Sequence, residues 1–213
     1  MLAAAPGVLI PRPETEALVD LAAEALDRHP ALGGLDWADL GTGTGAIAIG
    51  VARLLPPGRS IWAVDKAEAP AALAAWNASR LLGGPGQQRV RVVRGSWLEP
   101  LGHLRGRLGG ILSNPPYIPR MRLAGLQREV RDHEPSLALD GGEGQGLDSL
   151  KDICGAAADH LAKGGFLALE TDGPEQAHWA AGALQAAGFT GVEVRRDCYG
   201  VERFVLGYSS TGF

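Results

Sequence analysis

Apolar side chains in this sequence follow a helical spacing in some stretches and a strand-like run in others, and the two kinds take turns. Leu18, Leu21, Ala22, Ala25 and Leu26 recur three and four residues apart, which predicts a helix over residues 14–28. Glu14 and Glu16 fall in its first turn, where the helix dipole favours negative charge, and Pro30 and Gly33-Gly34 end it. Residues 37–40 form a short strand, and residues 46–55 return to a buried helical pattern. Residues 60–64 are a second strand ended by Asp65, and the Ala-rich residues 70–82 a second strongly helix-favouring segment in this part of the chain. Further strands are expected at 90–93, 110–113, 166–170, 191–195 and 204–208. Helices are expected at 147–161, stopped by Gly164-Gly165, and at 174–187, where Pro174 begins the helix without losing a needed N–H. Residues 120–146 read as charged, Gly-rich and irregular.

Repeated alternation of strand and helix demands a mostly parallel sheet with helices on both faces. The last two strands have no helix between them and predict an antiparallel hairpin at one edge. Residues 1–213 read as one domain, without internal repeat or linker.

Composition changes this picture little. Gly (31) and Pro (14) together make about a fifth of the chain against a usual eighth, scattered as in a protein with many turns. The net charge of -4 argues against a surface that binds nucleic acid throughout. Two basic regions, Arg80 to Arg107 and Arg120 to Arg131, are interrupted by Gly, Glu99 and Glu129 and read as solvated loop faces. Cys154 and Cys198 cannot make a disulfide framework, which fits a reducing compartment. No apolar run is long enough to cross a bilayer, and the first residues resemble neither a signal nor a transit peptide. A monomer in the cytoplasm is expected, or an organellar protein if a presequence is missing.

Two motifs carry chemistry. Gly41-Thr42-Gly43-Thr44-Gly45 joins a strand to a helix, where glycines let the backbone turn tightly and approach a ligand. Asp65 ends the next strand, placed to accept both hydroxyls of a ribose. Together they indicate an adenosine-containing cofactor. Ala46 stands where a dinucleotide fingerprint would have its third glycine, which shifts the reading from NAD to S-adenosylmethionine.

Asn114-Pro115-Pro116-Tyr117 follows the fourth strand. Two prolines make a rigid loop, and the Asn114 side-chain oxygen and Pro115 carbonyl can accept hydrogen bonds from a planar NH2 group. Such a grip points the nitrogen at an electrophilic methyl and stabilises developing positive charge. Tyr117 offers an aromatic wall. The five histidines lack metal-ligand spacing, so no metal is expected, and Ser113 and Cys154 have no sequence-local base.

These residues give the chain its resemblance to the protein-(glutamine-N5) methyltransferases of peptide-chain release factors. The matching runs are Val8-Leu9-Ile10-Pro11-Arg12-Pro13-Glu14-Thr15-Glu16, residues 39–46, residues 113–118, Glu129-Val130, His133-Glu134-Pro135, Leu137-Ala138-Leu139, Gly146-Leu147-Asp148, and Glu170 with Gly173 and Gln176, and Arg203-Phe204-Val205 continues the fit. The resemblance implies a Rossmann-like class I methyltransferase fold, α/β, with a seven-stranded sheet. It implies that residues Gly41, Thr42, Gly43, Thr44 and Gly45 wrap the methionine part of S-adenosylmethionine, Asp65 holds its ribose and Trp97 flanks its adenine. Asn114 would touch both cofactor and substrate, with Pro115, Pro116 and Tyr117 completing the pocket for the glutamine of a Gly-Gly-Gln tripeptide.

Three departures accompany it. Leu108 and Gly109 replace an aromatic-acidic pair, Thr171-Asp172 replaces apolar or small residues without evident reason, and the helical substrate-docking domain that the resemblance implies is expected to be absent. Asn-Pro-Pro-Tyr is shared with enzymes that methylate adenine in RNA or DNA, so that substrate is the alternative. A cofactor-binding module acting through partners is a third reading, and a nicotinamide oxidoreductase leaves Asn-Pro-Pro-Tyr without a task.

Overall fold

Five strands run parallel in the computed structural model, which describes residues 2–83 and 89–210. They are β1 (Asp36–Leu40), β2 (Ile61–Asp65), β3 (Val90–Arg94), β4 (Leu108–Ser113) and β5 (Leu161–Glu170). The closing hairpin is β6 (Phe189–Arg196) and β7 (Glu202–Ser209). Its second strand lies inside, antiparallel to both neighbours, giving the order β3-β2-β1-β4-β5-β7-β6.

The side-chain alternation of each strand explains the layers. Trp37, Ile61, Ala63, Leu112, Phe166 and Phe204 point to one face, where α1 (Ala17–Arg28), α2 (Ala46–Leu54) and α3 (Glu68–Leu82) cover them. Ala38, Leu40, Val64, Ile111, Leu167 and Val205 point to the other, under α6 (Asp148–His160) and α7 (Pro174–Ala186). Burying each such large side chain contributes roughly 1.5–3 kcal/mol, which holds both layers to the sheet. Between β4 and α6 lie two short helices, α4 (Arg120–Leu123) and α5 (Arg128–His133). The stretch expected to be irregular therefore has local order. The side chains of Glu129 and His133 lie outside the described residues, as does Met1.

Three expectations are corrected. Gly164-Gly165 does not stop a helix: α6 ends at His160, and both glycines lie within β5, where the pairing slips from Leu108↔Leu161 to Gly110↔Phe166. Gly164 takes a φ of 77°, so the pair absorbs a bulge. The first helix opens as a 3-10 turn, Pro13–Glu16, before becoming α-helical at Ala17. β4 begins two residues early, at Leu108.

The departure at Gly109 has a packing cause. A Cβ there would sit 2.6 Å from the Leu32 carbonyl oxygen, and one on Gly110 2.3 Å from the Trp37 ring. Trp37 Nε1 donates to that same Leu32 oxygen over 3.1 Å. The buried indole and its partner occupy the space that side chains would need.

Candidate active site

The carboxyl ends of β1, β2 and β4 lie side by side, and the chain's strand order reverses between β1 and β4. Parallel sheets bind ligands in the crevice at such a switch point. A cavity of about 270 Å³ opens there, lined by Gly41, Gly43, Asp65, Trp97, Asn114 and Pro116 among others. The sequence motifs thus meet at one place. Leu137, Asp140 and Asp148, from and beyond the segment after Asn-Pro-Pro-Tyr, also line it and were missed, because neither periodicity nor spacing marks them.

The glycine loop is tied to β2. Gly41 and Thr42 N–H groups both donate to the Val64 oxygen, at 2.8 and 3.0 Å. The Gly43 N–H donates to Asp65 Oδ2 over 3.0 Å, while the Ala67 N–H donates to Oδ1 over 3.0 Å. Gly43 has a φ of 56°, and a Cβ built on it meets no protein atom within 4 Å, so the loop there borders open space. Gly45 serves packing instead: its Cβ would lie 3.2 Å from Ala74 of α3. Thr42 and Thr44 are buried. Thr42 Oγ1 donates to Asp39 Oδ2 over 2.6 Å, and the Thr44 carbonyl accepts from Asn77 Nδ2 over 3.0 Å. Among the described residues Trp97 alone combines a side chain with a positive φ, 47°. Its ring passes 3.5 Å from where a Gly41 Cβ would be, which gives that glycine a second reason.

Asp39, at the end of β1, is fully buried. Oδ2 accepts from Thr42 and from the Ala48 N–H of α2, while Oδ1 has no partner among the described residues. Burial pushes its carboxyl up to about 7. Burial also raises that of Asp65.

On the other side of the cavity, Ser113 Oγ donates to the Leu40 oxygen over 2.7 Å and so joins β4 to β1. Asn114 Nδ2 donates to Thr15 Oγ1 over 3.0 Å, and Thr15 Oγ1 donates to Glu170 Oε2 over 2.9 Å. Glu170 is buried at the end of β5, and burial lifts its carboxyl to about 7 despite the Thr15 hydrogen bond. The Tyr117 hydroxyl approaches Glu170 Oε1 at 3.5 Å, and burial raises the phenol's pKa. The Pro115 side chain is buried, and of this loop Asn114 and Pro116 line the cavity.

Gln176 fastens the loop from α7. Its Nε2 donates to the Tyr117 oxygen at 2.8 Å and the Gln145 oxygen at 2.7 Å, while Oε1 accepts from the Asp172 N–H. Thr171-Asp172 now has an account: Thr171 Oγ1 donates to the Arg203 oxygen over 3.0 Å, and Asp172 accepts from Arg122 over 2.6 Å. Arg105 pairs with Asp159, and Arg120 with Asp140 and Glu143, so these basic side chains are matched by local acids. Cys154 is buried, its thiol pushed up to about 12, and so unreactive. Among the described residues no group of three His, Cys, Asp or Glu is placed to hold a metal, and no helix is long and apolar enough to cross a membrane.

No protein-family model matches the chain. Among solved structures it is similar to a methyltransferase from Pyrococcus furiosus, with TM-score 0.65 at 18% identity over 99% of this chain and 89% of that one. The ribosomal protein L11 methylase of Lactobacillus delbrueckii subsp. bulgaricus gives TM-score 0.63 at 19% identity, covering 96% and 82%. The fold is that of the Rossmann-like class I methyltransferases. In sequence the chain is 45% identical over 207 residues to the release factor glutamine methyltransferase of Gloeobacter violaceus, covering 96% of this chain and 68% of the relative. It is 42% identical over 203 residues to the protein of that name from Bordetella pertussis, covering 95% and 70%. The chain belongs to the release factor glutamine methyltransferase family.

Proposed function

We propose that this protein transfers a methyl group from S-adenosylmethionine to the side-chain amide nitrogen of the glutamine in a release factor's Gly-Gly-Gln tripeptide. The observation that carries this reading is one cavity that holds the glycine loop, Asp65 and Trp97 on one side and Asn114 and Pro116 on the other. The 45% identity to a protein named for this reaction supports the substrate.

The residues fit the cofactor. Gly43 borders open space, and each Asp65 oxygen accepts one backbone N–H, leaving further lone pairs for the hydroxyls of a ribose. The Trp97 ring supplies a flat apolar face for the adenine. When bound, S-adenosylmethionine supplies an electrophilic methyl group on a sulfonium. Asn114 and Pro115 do the rest by positioning. Asn114 donates through Nδ2 to Thr15, so its Oδ1 is left to accept from the substrate NH2. Pro115 has a carbonyl and no N–H to compete with it. Two acceptors on one amide fix its orientation and oppose the positive charge that grows on nitrogen during transfer. The N–C bond forms as the S–C bond of the sulfonium would break to leave a neutral thioether, and the nitrogen gives one proton to water.

The bacterial relatives support a reaction in the cytoplasm. The reading is tested with radiolabelled cofactor and two release factors, one intact and one with the tripeptide glutamine replaced by alanine. Label is expected only in the first. Label in both, or label transferred to RNA instead with steep salt dependence, overturns it.

A further inference from the structure

Glu170 lies far from the glycine loop in sequence, and the mechanism above gives it no task. It is nonetheless 1% exposed, with one oxygen against Thr15 and the other turned to Tyr117. The nearby Arg203 is occupied elsewhere, with Asp197 at 2.9 Å and the Thr171 and Asp172 carbonyls at 3.2 Å. A carboxylate held in the interior without a direct cationic partner is costly to keep. Thr15 is equally placed: it is buried within the 3-10 turn that opens the first helix, and the preceding Arg12 is clamped by both oxygens of Glu134.

The geometry points to Thr15 and Glu170 as positioning residues that set which end of the Asn114 amide faces the substrate. This inference rests on the reading of Asn114 as the substrate-amide acceptor. A hydroxyl has a single hydrogen to donate. The ionised carboxylate of Glu170 can only accept, so the Thr15 hydrogen goes to Oε2. Thr15 Oγ1 must then accept, and only the NH2 end of Asn114 can supply that hydrogen. Oδ1 is therefore the end left for the substrate. Without the relay the two amide ends are nearly alike in shape, and a turned amide would set NH2 against the substrate's NH2, donor against donor. The chain of contacts joins residues 99 and 155 positions apart.

The sequence makes the test sharp, because Asn77 and Asn114 are its two asparagines. With 15N-asparagine labelling, the enzyme shows two side-chain NH2 pairs, assigned by Asn114→Ala. Thr15→Val, and separately Glu170→Met, should move the Asn114 pair and speed its solvent exchange while the Asn77 pair stays. In the methyl-transfer assay each variant should lower kcat about tenfold, the scale of one hydrogen bond. Calorimetric affinity for S-adenosylmethionine should stay within twofold, which also shows that the variants fold. Thr15→Ser should recover most of the lost turnover, and the Thr15→Val, Glu170→Met double variant should be no worse than either single one. Unchanged Asn114 signals in Thr15→Val, fully additive losses, or a Thr15→Ser variant as slow as Thr15→Val would overturn the relay. The NMR spectra need no substrate. A wild-type enzyme that methylates no release factor would instead overturn the functional reading.

Discussion

Replacing Asp39 with Asn removes a buried charge while keeping the shape of the side chain. The native carboxyl titrates at about 7 against an ordinary 3.8, chiefly because burial penalises its ionised form. Between those values the folded protein holds a proton that the unfolded chain has released. Stability therefore declines as pH rises through that window, and the decline ends above pH 7. Asn has no such dependence. Its oxygen can keep the hydrogen bonds from Thr42 and Ala48, and its NH2 takes the place of Oδ1, which has no partner among the described residues. An unpartnered buried NH2 costs about 1–3 kcal/mol, so the sign of the change at any one pH is not the quantity to read. That cost does not vary with pH, and it cancels when the variant's ΔΔG is compared between pH 5 and pH 8. Glu170 titrates in the same range in both proteins and cancels as well. One pKa unit is worth about 1.4 kcal/mol and about two units separate pH 5 from the native pKa, so wild type should lose about 3 kcal/mol relative to Asp39→Asn across that interval. Urea unfolding of both proteins at four pH values without cofactor measures this. Parallel stability profiles would refute the reasoning.

Other variants probe the site and the frame. Asn114→Ala should cut turnover by about 100- to 1000-fold, as loss of a transition-state contact does, with cofactor affinity by calorimetry within a few-fold of wild type. Asp65→Ala should weaken S-adenosylmethionine binding by about 1.5–3 kcal/mol, the worth of hydrogen bonds to a charged group. In wild type that affinity should fall as pH drops towards the raised pKa of Asp65, because the protonated carboxyl accepts ribose hydroxyls less well; an affinity by calorimetry that stays flat down to the lowest pH at which the protein is folded would contradict the assignment. Gly109→Ala should destabilise the fold by about 1–3 kcal/mol through overpacking against Leu32 and Trp37, read as a lower urea midpoint with unchanged slope.

Much of the site is legible in the sequence because its demands are local. The glycine loop needs left-handed backbone, Asp65 needs a strand end, and the two prolines stiffen one loop, each within a few consecutive residues. The relay through Thr15 and Glu170 is not legible in that way, since each residue alone is an unremarkable polar side chain and only the parallel sheet brings them together. Asp39 escaped for a similar reason: its neighbour Leu40 and the glycines draw attention, while the missing partner of Oδ1 exists only in three dimensions. Gly164-Gly165 misled because two glycines after a helix ordinarily end it, whereas sheet pairing at Leu161 had already done so. The segment after Asn-Pro-Pro-Tyr has no hydrophobic period, so the hold of Gln176 on the Tyr117 and Gln145 carbonyls had no local sign.

The central claim is that Asn114 and Pro115 present a glutamine amide to S-adenosylmethionine. Mass spectrometry of a release factor after incubation with enzyme and cofactor tests it most directly. The account predicts a single added methyl group on the side-chain nitrogen of the Gly-Gly-Gln glutamine, abolished by Asn114→Ala. A methyl group on any other residue, or an unmodified glutamine alongside consumed cofactor, would contradict it.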